Sequence, residues 1–83
     1  MKNATDNTPE FPPIFDEAIR EKLHALSLTE LRNLSEASYT TADSGYLMAK
    51  SKTASKEDFI LELCEVSDKA EWQIAKIKET LDL

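Results

Sequence analysis

The sequence predicts an all-α protein, built as an antiparallel helical hairpin (about 28–52 and 55–82) with a short N-terminal helix (about 16–26) laid against it. Three observations predict it. From Ile60 the apolar and small residues Ile60, Leu63, Ser67, Ala70, Ile74, Ile77 and Leu81 recur at spacing 3-4-3-4-3-4, the seam of a helix that packs lengthwise on another helix. A second such run, Leu31, Leu34, Ser38, Thr41, Gly45 and Met48, lies upstream. The short polar segment Thr53-Ala54 between them makes the two helices antiparallel neighbours.

Taken in order, Met1–Glu10 is polar and reads as a tail. Residues 1–13 are assigned to this flexible segment and 14–83 to one helical domain. Phe11-Pro12-Pro13-Ile14-Phe15 is an extended arm, because two prolines favour polyproline II. The reading is an arm that docks a phenylalanine on the protein's own core, with a linear motif offered to a partner as the sharper alternative. Asp16 is the predicted N-cap of the first helix, with Glu17 in its positive first turn. Phe15, Ile19, Leu23 and Leu26 then share one face. At roughly 16 Å this helix covers less than half of a hairpin roughly 38 Å long.

Ser27-Leu28-Thr29-Glu30 has the pattern of a capping box and begins the second helix. Its middle is populated by small residues, and Asp43-Ser44-Gly45 can end a helix. One continuous helix is favoured because the spacing runs through Gly45, the sole glycine. Gly45 would then admit the backbone of a facing helix, at about 1 kcal/mol relative to alanine. A C-cap at Gly45 is the alternative. Lys50 and Lys52 suit the negative end of that helix, and Ser55 with Glu57 and Asp58 starts the next.

Closing the hairpin at Thr53-Ala54 brings Met48 to Phe59 and Ile60, Gly45 to Leu63, Ser38 to Ala70, Leu34 to Ile74, Leu31 to Ile77 and Leu28 to Leu81. Large residues meet at both ends and small ones in the middle, so two independent patterns agree. The predicted seam is therefore Leu31, Leu34, Met48, Ile60, Leu63, Ile74, Ile77 and Leu81. Left beside it are Tyr39, Tyr46, Leu61, Trp72 and Ala75, the interface candidates. Either the first helix covers them in a three-helix bundle, or a second subunit does, in a dimeric four-helix-type bundle. A homodimer is the favoured reading, because aromatics on an uncovered helix face suit interface cores. A foreign protein partner is the alternative.

The composition narrows the function. The 83 residues carry a net charge of −6, one cysteine and one histidine. A chain this short is marginal alone and, without disulfides, depends on helix packing or association. The single Cys64 suits a reducing compartment, and the cytoplasm is the predicted location. The acidic balance disfavours direct nucleic-acid binding. No apolar run reaches membrane-spanning length. His24 and Cys64 fall too far apart along the predicted helices to act as a pair. Cys64 reads as a small buried hydrophobe, and the acids Glu57, Asp58, Glu62, Glu65 and Asp68 read as a solvated helix face. No catalytic, cofactor-binding or metal-ligating residue is identified, and no cofactor is expected. The predicted function is a non-enzymatic interaction module of the regulatory, adaptor or co-chaperone type. The runner-up is an acidic decoy that occupies the basic groove of a nucleic-acid-binding protein. Steep salt dependence would favour the decoy, and association sensitive to Trp72→Ala would favour the module.

Overall fold

The computed structural model describes residues 12–83. Five α-helices fill this span: α1 (Glu17–Leu23), α2 (Leu28–Ser38), α3 (Ser44–Lys50), α4 (Lys56–Cys64) and α5 (Glu71–Thr80). The all-α class is as the sequence predicts. The long helices of the hairpin are not. The predicted helix 28–52 is two helices, α2 and α3, and the predicted helix 55–82 is also two, α4 and α5. The first helix is shorter than 16–26 and stops at Leu23, with His24 as its C-cap. Of the proposed tail, 1–13, residues 1–11 including Phe11 lie outside the described residues. Pro12 and Pro13 are exposed, with no regular structure.

The helix starts follow from local chemistry. The Asp16 side chain accepts from the Ile19 amide at 3.0 Å. Ser27 and Glu30 complete a capping box, with bonds of 3.1 and 2.8 Å. Ser55 and Asp58 form another. Each removes unpaired amides from a helix end. Ala70, before α5, has no side-chain acceptor, so only half a box forms there: Gln73 Oε1 accepts from the Ala70 amide at 2.8 Å.

The first break spans residues 39–43. Tyr39 is extended, with φ −126° and ψ 155°. The Thr40 amide turns back to the Asp43 carboxylate at 3.1 Å. Threonine and aspartate compete well for such bonds and are poor helix interiors. The Tyr39 ring folds onto Gly45, where an added Cβ would overlap the ring atoms. Gly45 therefore does admit a close neighbour, but the neighbour is a side chain from its own break rather than a facing helix backbone. The buried Ser35 hydroxyl holds the Gly45 carbonyl at 2.9 Å.

The second break spans 65–70, where Glu65 is extended at φ −80° and ψ 104°. Here the backbone groups at the end of α4 are taken by the arm, by Tyr39 and by Lys69 of the break itself. The Asp16 amide donates to the Cys64 carbonyl at 2.8 Å, and the Val66 amide to the Ile14 carbonyl at 2.9 Å. Tyr39 Oη donates to the Glu62 carbonyl at 3.2 Å and its carboxylate at 2.9 Å. The Lys69 ammonium reaches the carbonyls of Glu62 and Glu65. A cation suits the negative end of a helix, and these partners fulfil the orphan carbonyls that continued helix would have fulfilled. Ser67 and Ala70, placed in the predicted seam, thus lie in the loop between helices.

The core survives both breaks. Ile19, Leu23, Leu31, Leu34, Phe59, Ile60, Leu63, Cys64, Ile77 and Leu81 are all buried in one cluster. α2 packs on α3, α4 and α5, α3 on α4, and α1 on α4. The α1–α4 pair runs antiparallel: Asp16 meets Cys64 at one end, and Lys56 Nζ donates to the His24 carbonyl at the other. The C-terminal end of α2 meets the start of α5, where Gln73 Nε2 donates to the Ser38 carbonyl at 3.1 Å. Of the predicted seam, Met48 and Ile74 are only half-buried, whereas the other six positions are buried.

Candidate interaction surface

The five interface candidates separate in the fold. Tyr39 is a correction: it is 8% exposed and belongs to the core. Its hydroxyl is held by Glu62, and Lys69 Nζ stands 5.3 Å from the ring centroid. Burial, with the Glu62 carboxylate beside it, raises the Tyr39 phenol well above its ordinary pKa, since both oppose the phenolate. Tyr46 is half-buried, with Lys50 Nζ 5.2 Å from its ring. Lys50 is also paired with Glu36, which raises its pKa. Ala75 is exposed, and Trp72 is 50% exposed on the same helix, α5. Leu61 is 39% exposed on α4. The break at 65–70 means that Leu61 and Trp72 no longer share one helix.

Leu61 instead joins a groove of about 370 Å³ lined by Phe15, Met48, Asp58, Leu61, Glu62 and Glu65. Asp58, Leu61, Glu62 and Glu65 lie at i, i+3, i+4 and i+7, which puts them on one face of α4 and its last turn. Met48 comes from α3. Phe15 is brought by the arm, which pairs with the end of α4 through an isolated antiparallel bridge between Phe15 and Glu65. The Ile14 amide adds a bond to Ser67 Oγ at 3.0 Å. The arm does dock on its own domain, as the sequence suggests, but through the main chain. Phe15 is not inserted into the core and stays 37% exposed, with Arg20 Cζ 5.5 Å from its ring centroid.

The groove has a mixed apolar and acidic lining. Phe15, Met48 and Leu61 supply the apolar part, three carboxylates supply the charge, and no lysine or arginine lines it. All three acids are held in place, Asp58 by the Ser55 amide at 2.9 Å. Glu62 Oε2 accepts from Tyr39, and Glu65 Oε2 accepts from Ser67 Oγ at 3.2 Å. The acids are therefore more than the uniformly solvated face that spacing suggests. Lys69 lies close in sequence, but its side chain is fully buried against the α4 carbonyls. At another part of the surface Leu28, Arg32, Ala49, Lys50, Ser51 and Lys52 line a second, basic recess.

The residues that could perform chemistry are not gathered. His24 is exposed at the end of α1, while Cys64 is fully buried against its start. The length of α1, about 10 Å, separates them. Among the described residues, no group of three or more His, Cys, Asp or Glu side chains could hold a metal ion. No helix among them is long and apolar enough to cross a membrane. Compared with known proteins, the chain matches no family model, no curated protein and no solved structure.

Proposed function

We propose that this chain is a non-enzymatic protein–protein interaction module of the regulatory or adaptor type, acting in the cytoplasm and self-associating through the α5 face that carries Trp72 and Ala75. The observation that carries the reading is Trp72, the sole tryptophan, half exposed on the regular helix α5. Tryptophan is highly buried on average and is enriched at interfaces, so an uncovered one on a regular helix marks a surface for association. Exposed Leu47 on α3, at 60%, adds apolar area outside the core. The lone buried Cys64 supports a reducing compartment.

The test is the solution mass by light scattering over a concentration series, with tryptophan fluorescence recorded in parallel. Self-association predicts a mass above one chain and a blue shift as concentration rises. Trp72→Ala should return the protein to a single chain with its helical circular dichroism intact. A monomer at every concentration, with tryptophan emission fixed at the exposed wavelength, would sink the self-association reading.

A further inference from the structure

We infer that the groove between α3 and α4 is a docking site for a basic amphipathic helix of a partner protein, seated on Phe15, Met48 and Leu61 and held by Asp58, Glu62 and Glu65. The proposal rests on the interaction-module reading for the class of partner, but uses a different surface from the Trp72 face. Charge complementarity selects the occupant. All the charged residues lining the groove are acidic, on a chain whose net charge is −6. Apolar lining alone would accept any hydrophobic segment. Acidic lining disfavours acidic ones, because unlike charges select partners and like charges repel them.

The spacing selects a helix rather than an extended strand. Asp58, Glu62 and Glu65 mark out two turns, roughly 10 Å along the axis of α4. Lysines or arginines at i, i+4 and i+7 of a helix lying alongside would repeat at the same rise. The apolar face of that helix would then rest on Leu61, Met48 and Phe15, the helix-in-groove mode of recognition. Held carboxylates strengthen the case: Glu62 and Glu65 are already ordered by Tyr39 and Ser67, so less side-chain freedom is lost on binding.

The test uses the full chain and a synthetic lysine–leucine amphipathic peptide of about 14 residues, roughly 21 Å as a helix. A peptide of the same composition, scrambled to abolish the apolar face, is the control. Binding is followed by anisotropy of a labelled peptide at about 0.05 M and about 0.5 M salt, where screening differs severalfold. Two groove variants are compared, Leu61→Ser and Asp58→Asn/Glu65→Gln, each checked for helicity by circular dichroism. Asparagine and glutamine preserve shape and acceptor oxygens while removing charge. The patterned peptide should bind the wild type and lose about tenfold in affinity with either variant. The double variant should also lose most of the salt dependence, whereas Leu61→Ser should keep it. Equal binding of the scrambled peptide would overturn the proposal, since charge alone would then suffice. Unchanged affinity in both groove variants would overturn it as well, as would loss of binding only with Trp72→Ala. A solution mass above one chain that Leu61→Ser abolishes, with no peptide binding, would assign the groove to a second copy instead. Because the mass of the Trp72→Ala variant reports on self-association separately, failure of one assignment is distinguishable from failure of the other.

Discussion

The two breaks in this chain, at 39–43 and at 65–70, interrupt equally regular heptad patterns for different reasons. The first is written in its own residues. Thr40 and Asp43 bond each other, and Tyr39 closes back on Gly45. The second leans on partners from outside, the amide of Asp16 and the hydroxyl of Tyr39, which join its own Lys69 ammonium at the end of α4. The breaks fall at the same level of the predicted hairpin, and Tyr39 takes part in both. A regular seam therefore tells which residues are buried but not whether the helix between them is continuous.

Substitutions can separate the two kinds of break. The largest effect is expected at Gly45. On helix propensity alone, Gly45→Ala would stabilise by about 1 kcal/mol. Against the Tyr39 ring it should instead destabilise by about 3 kcal/mol, as overpacking does. Chemical denaturation gives the sign, and a stabilised variant would contradict the ring's placement. Next, Lys69→Met should cost about 2 kcal/mol, because buried carbonyls lose a charged donor, and hydrogen exchange should show the loss first at the end of α4. A variant as stable as the wild type would mean that the second break does not depend on Lys69.

Tyr39→Phe, which removes one group common to both breaks, should cost about 1 kcal/mol near neutral pH. It also carries a pH signature. The folded phenol has its pKa raised above the ordinary 10.0. Its contribution is fully present below pH 10.0 and is lost as pH rises toward the folded value, because the unfolded state releases its proton first. The stability difference between wild type and Tyr39→Phe should therefore shrink in alkaline denaturation curves. A constant difference would remove the buried phenol from the account. The smallest effect is at Ala70→Ser, which supplies the missing half of the α5 capping box and should stabilise by about 0.5–1 kcal/mol. No gain there would show that α5 is started by its tertiary contacts instead.

Much of the architecture was legible in the sequence because it is local. The caps at Asp16, Ser27 and Ser55 and the burial of Leu31, Leu34, Ile60, Leu63, Ile77 and Leu81 follow from short-range chemistry and periodicity. The signal for the first break lies in the poor helix propensity of Thr40, Thr41 and Asp43, whereas Asp43-Ser44-Gly45 opens α3 and Gly45 is not the C-cap that the sequence offers as an alternative. The second break was not legible, since Lys69 differs from any surface lysine only through carbonyls that folding brings to it. The candidate surface was half visible. Leu61, Trp72 and Ala75 are exposed, whereas Tyr39 is buried. Phe15 could not be placed in the groove from sequence, because a main-chain bridge to Glu65 carries it there. The acids at 58, 62 and 65 did carry a signal, their i, i+4, i+7 spacing around Leu61.

The bridge between the arm and the end of α4 also sets a timetable. Ile14 and Asp16 bond to Val66 and Cys64, residues that a ribosome working at about 5–20 residues per second adds on the order of 3–10 s later. During that interval α1 has been made and its packing surface on α4 has not. Ile19 and Leu23, fully covered in the finished fold, then face water on a helix too short to persist alone. The packing of α1 is thus completed only when the later half of the chain supplies α4.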